Sequence, residues 1–135
     1  MKSLFLRIAF STLSTMTQGG CCRILIVYDS QSNNAAPVAT DVLTSDTVDG
    51  LMNLNNGERF KVLLDKEFQI SVSGNENFPW KKFKKLNLPV TYSGTGATAG
   101  DIQTGGVYML TSNGGFVGGT GPLGSLRVRI RFADS

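Results

Sequence analysis

The sequence predicts an all-β protein, on three observations. Several short segments alternate apolar and polar residues with a period of two, no long segment carries a helical period, and Gly- and Asn-rich stretches separate the segments. Short strands joined by turn-rich loops form a sandwich, barrel or jelly roll, built from packed antiparallel sheets. The 135 residues fit a single domain, 1–135, long enough to bury a core without staples. Hydrophobic residues at 41% against charged residues at 17% give the balance of a globular chain.

Six strand segments are expected. Over 3–12, Leu4, Leu6, Ile8 and Phe10 take one face, with Arg7, Ala9 and Ser11 on the other. Thr17-Gln18-Gly19-Gly20 then reads as a turn. Residues 21–29 are apolar on both faces, as in a strand covered on both sides. Residues 30–58 are polar and broken by Asn and Gly, with room for a helical turn from Ala39 to Leu43. Residues 59–72 put Phe60, Val62, Leu64, Phe68, Ile70 and Val72 on one face, and Lys66 interrupts that face, so a bend or bulge is expected there. Residues 81–93 align Leu86, Leu88, Val90 and Tyr92. Lys82 and Lys84 share their parity, which calls for a bulge or late strand start, and Pro89 calls for an edge or irregular position. Residues 106–112 follow. The cleanest alternation lies at 125–133, with Leu126, Val128, Ile130 and Phe132 facing one way and Arg127, Arg129 and Arg131 the other. Loops at 30–58, 94–104 and 113–124 are the expected outer-surface or inter-subunit segments.

The composition argues against catalysis. Without His, the chain lacks the commonest general base and metal ligand. Cys21 and Cys22 are adjacent, and neighbours on a strand point to opposite faces, so neither a disulfide framework nor a zinc signature is expected. The Gly94–Gly100 and Gly114–Gly121 stretches lack the Gly-Lys-Ser/Thr ending and following helix of a phosphate loop, so they read as inter-strand loops. The ten carboxylates lie mostly in loops or on exposed strand faces, where solvated acids are the default; a glycosidase-like pair would need two of them held together in a cleft. No Ser has a recognisable nucleophile setting. Arg7 interrupts the opening apolar run, so no signal peptide is expected, and no run approaches the roughly 20 residues of a membrane helix. No cofactor, metal or membrane partner is expected.

The basic residues say more than the net charge of +3. Lys81-Lys82-Phe83-Lys84-Lys85 is a dense cluster around an aromatic. Arg127, Arg129 and Arg131 form a stripe with roughly 6–7 Å between neighbours, close to the spacing of successive phosphates on a nucleic-acid strand. A solvated outer face is the bland alternative. Such a face usually mixes signs, and this one carries no acid, which puts the two readings level.

Several segments resemble a known family in order and spacing. They are Lys2–Arg7, Arg23–Gln31, Ala36-Pro37, Asp41–Leu43, Asn53–Asn56, Arg59–Leu63, Asp65-Lys66, Lys82–Leu88, Val90–Tyr92, Gly105–Leu110 and Arg127–Ser135. Together they resemble the capsid proteins of small circular single-stranded-DNA viruses, similar to geminivirus coat proteins and, more closely, to their environmental relatives. The resemblance implies an eight-stranded viral jelly roll that assembles with identical subunits into an icosahedral shell around single-stranded DNA. It implies location in the virion, and in the host cell, including its nucleus, during assembly. The chain opens within the segment matching Lys2–Arg7, so its six strands correspond to the family's last six, and a basic N-terminal arm and the first two strands are missing relative to the family. On that mapping the strands at 3–12, 81–93 and 125–133 share a four-stranded sheet free of acids, facing the shell interior. The expected nucleic-acid contacts are Arg7, Lys81, Lys82, Lys84, Lys85, Arg127, Arg129 and Arg131, made without reading sequence. A jelly-roll carbohydrate-binding module is the alternative; it would need an aromatic platform, and Trp80 beside Phe78 and Pro79 is the one Trp available.

Overall fold

Strand β1, Ser3–Ser11, is the centre of a three-stranded sheet. The computed structural model describes residues 1–11, 17–32, 34–72, 78–96, 98–116 and 122–133. Thr12 at the end of the first expected strand, two of the ten carboxylates (Glu76 and Asp134), Ala97 and most of the second glycine-rich stretch lie outside them. Among the described residues there are seven further strands: β2 Gly20–Asp29, β3 Phe60–Ile70, β4 Phe78–Lys85, β5 Thr91–Tyr92, β6 Ile102–Thr104, β7 Gly106–Gly114 and β8 Leu123–Arg131. The only α-helix among them is the single turn α1, Ala39–Val42, where the sequence left room for it. The protein is all-β, of the jelly-roll-like β-sandwich class that the strand pattern predicts.

The chain divides into two units. The first (Met1–Cys21, Gln69–Leu88 and Gly115–Ser135) holds the sheet ordered β4-β1-β8. Both pairings are antiparallel and unbroken, from Ser3↔Lys85 to Phe10↔Phe78 and from Ser3↔Arg131 to Ser11↔Leu123. The alternation in β1 explains its place: Leu4, Leu6, Ile8 and Phe10 are buried, while Arg7 is exposed. The N-terminus is tied down, since the Met1 ammonium donates to the Leu88 carbonyl at 2.6 Å. Edge strand β4 carries Pro79 and four lysines, residues that discourage further strand pairing. Edge strand β8 is less protected: Leu126, Val128 and Ile130 lie opposite the buried Ile8, Leu6 and Leu4 yet remain 37–48% exposed.

The second unit (Cys22–Phe68 and Pro89–Gly114) contains most of the sheet ordered β3-β2-β7 and the small β5-β6 ribbon. Every residue of β2 from Cys22 to Asp29 is buried, as its two-sided apolar sequence requires. Leu25 and Val27 pack with Val42, Leu43 and Phe60, and Tyr108 and Leu110 of β7 close the cluster. Two arginines fix the surrounding chain. Arg59 grips the fully buried Asp29 with Nε–Oδ1 at 2.9 Å and Nη2–Oδ2 at 2.8 Å, and Gln31 N–H donates to the same carboxylate. Arg23 grips Asp65 in the same two-pronged way and also donates to the Val48 and Gly50 carbonyls, which holds the polar segment against β2. These hydrogen-bonded carboxylates raise the pKa of both arginines further above their usual value. Burial raises the Tyr28 and Tyr108 hydroxyls, and Tyr28 Oη donates to the Pro89 carbonyl.

Three expectations need correction. The segment 81–93 is not one strand: β4 starts earlier and ends at Lys85, and Thr91-Tyr92 belongs to the separate ribbon with β6. Leu86, Leu88 and Val90 are partly buried, and Tyr92 is exposed. No bulge separates Lys82 and Lys84 from the core parity. They sit opposite Leu6 and Leu4, and an edge position leaves both side chains exposed despite the core parity. In β3 the buried positions are Phe60, Leu63 and Ile70, so the alternation breaks before Lys66, and Val72 lies beyond the strand, 41% exposed.

Candidate nucleic-acid interface

Directly opposed residues of an antiparallel sheet share a face. The registers of β1 with β4 and β8 therefore define a three-by-three grid on the outward face of the first sheet. One row is Lys81, Arg7 and Arg127; the next is Phe83, Phe5 and Arg129; the third is Lys85, Ser3 and Arg131. Neighbours within a row lie about 5 Å apart and rows about 7 Å apart. The six cations are exposed. No carboxylate among the described residues pairs with any of them. Like charges set directly opposite one another destabilise a sheet, so Lys81–Arg7–Arg127 is a cost to the free protein.

Sequence reasoning grouped eight basic residues, and six of them meet on this face. Lys82 and Lys84 point to the other side of β4, because their parity is that of Leu4 and Leu6. Two residues left out of the expected contacts, Phe5 and the Phe83 noted inside the lysine cluster, hold the grid's middle row as a cross-strand pair. Parity could have found them: Phe5 is two residues from Arg7, and Phe83 sits at the middle of the lysine cluster. Open grooves flank the pair, one of about 370 Å³ bordered by Phe5, Phe83, Arg129 and Arg131, and one of about 290 Å³ bordered by Phe5, Arg7, Arg127 and Arg129. Trp80 is opposite Ile8, on the face away from the grid.

Elsewhere three acids serve the fold. Asp29 and Asp65 are engaged by Arg59 and Arg23. Asp101 accepts the Thr98 hydroxyl and amide at the head of a 3-10 turn, bonds that hold its carboxyl below the usual aspartate range. Among the described residues no three His, Cys, Asp or Glu side chains come together as a metal site would require, and no helix is long and apolar enough to cross a membrane.

With that geometry in place, comparison with known proteins adds one finding. The whole chain is similar to the coat protein of Maize white line mosaic Satellite virus. Identity is 28% over 139 aligned positions, and the chain spans 62% of that protein's length. No family model matches the chain.

Proposed function

We propose that the chain is a viral coat protein, a structural subunit that assembles with identical copies into an icosahedral shell enclosing single-stranded DNA. The observation that carries the nucleic-acid part is the gathering of six exposed cations on one sheet face, three of them directly opposed in one row, with no acid among the described residues to offset them. A folded protein tolerates such repulsion where a polyanion relieves it, and a phosphate backbone is a polyanion of matching spacing. Contacts of this kind neutralise phosphates without reading bases. The shell-forming part is supported by the similarity to a coat protein across the whole chain and by the jelly-roll-like fold. DNA, rather than RNA, is the reading carried by the resemblance to the capsid proteins of single-stranded-DNA viruses.

The experiment expresses the chain, images the product by electron microscopy and extracts the enclosed nucleic acid. The expected result is uniform spherical particles whose contents DNase degrades and RNase does not. Contents degraded by RNase alone overturn the DNA assignment, and a product without particles overturns the shell. Replacing Arg127, Arg129 and Arg131 together by Ser should lower the nucleic-acid content. It should also reduce the slope of log affinity against log salt by about 2, at roughly 0.7 per phosphate contact for a single strand. Unchanged content and slope overturn the role of the stripe.

A further inference from the structure

We propose that Phe5 and Phe83 form a base-stacking platform at the centre of the cationic grid, so that this face takes nucleic acid as a single strand with unpaired bases and not as a duplex. The inference rests on the phosphate-binding reading above and adds the bases to it.

Three observations lead there. Phe83 is 61% exposed although it lies on an edge strand, where an exposed aromatic invites association. The rest of β4 avoids that hazard with Pro79 and four lysines, so Phe83 stands out from the design of its own strand. Second, Phe83 and Phe5 are direct cross-strand partners, and Arg129 completes their row. Third, the cationic rows on both sides, Lys81–Arg7–Arg127 and Lys85–Arg131, lie about one residue pair, roughly 7 Å, from the aromatic row. A strand crossing the grid can set a base on the aromatic row while its flanking phosphates meet the cations. The two grooves beside the pair give a flat ring room to enter. In a duplex the faces of the bases are already stacked on one another, and only phosphates would reach the sheet. Every base has a π-face, so a platform of this kind favours single strands without selecting sequence.

A cross-strand Phe pair can also serve only to hold two strands together, and the test separates the two roles. Binding of oligo(dT) and oligo(rU) is measured against strands of the same length and phosphate number lacking bases, and against a duplex. The chain should bind the base-bearing strands roughly 5- to 100-fold more tightly than the abasic ones. Phe83→Leu keeps an apolar side chain on the strand and removes the ring; it should erase most of that preference while leaving abasic affinity and salt slope unchanged. Phe83→Tyr restores a ring and should restore the preference. Equal affinity for base-bearing and abasic strands, or for single strand and duplex, overturns the platform and leaves the phosphate reading standing. A preference that follows the sugar and not the base also overturns it. Failure to bind either kind of strand overturns the phosphate reading itself.

Discussion

At the scale of single residues, the fold depends on two arginines whose partners lie far away in sequence. Asp29 and Arg59 are 30 residues apart, and no spacing in the chain announces their pairing. A hint does exist: Asp29 ends a strand that is apolar on both faces, and an acid in such a place needs a partner. Arg59 provides it with two hydrogen bonds, and its guanidinium also lies 4.7 Å from the Phe60 ring centroid. Arg59→Met keeps most of the side-chain volume but strands a carboxylate that has no access to water. The expected cost is about 3 kcal/mol, read as a lower urea midpoint with an unchanged slope. Replacing exposed Lys82, whose ammonium sits at a sheet edge, should change the midpoint little.

At the scale of elements, alternation located the long strands but not all their limits. β1 and β8 were legible because their periods are clean and their charged residues fall on one parity. β4 was not, because what defines it is its pairing with β1. Eight residues must lie opposite Ser3–Phe10, and an edge position accepts both Pro79 and lysines on the core parity. A period-two search therefore slides onto the more regular apolar run that follows Lys85, which the fold spends on an irregular segment and a two-residue strand. The same limit hid the grid: the members of one row come from three distant segments, so only register could join them. The β6–β7 junction carries a backbone requirement that composition alone does not reveal. Gly105 has φ +85°, and its amide donates to the Asp29 carbonyl at 3.1 Å. A Cβ at this position would overlap the Pro89 carbonyl. Gly105→Ala should lose about 1–3 kcal/mol, from left-handed strain together with the clash, checked by denaturant unfolding against a glycine-to-alanine change at Gly57, where φ is −60° and the nearest atom lies 3.4 Å away.

At the scale of the whole molecule, the fold class was legible because it follows from period, strand length and loop composition, which are local properties. The joining of segments into sheets was not, because it depends on pairings that span most of the chain. β1 ends at Ser11, whereas its two partners begin at Phe78 and Leu123. Closing loops of that length delays the entropic return on each pairing, so this sheet belongs with slow, non-local folders, and refolding in milliseconds to seconds is expected by stopped-flow Trp80 fluorescence. The cationic face consequently has a birth time. A nascent chain that has made β1 and β4 displays Arg7, Lys81 and Lys85 beside a vacant third lane, and the arginine stripe joins them only after β8 has been synthesised and has docked. On the phosphate-binding reading proposed above, capture of a polyanion at full strength would be confined to chains that have finished this sheet, an order in which completion of the fold comes before loading.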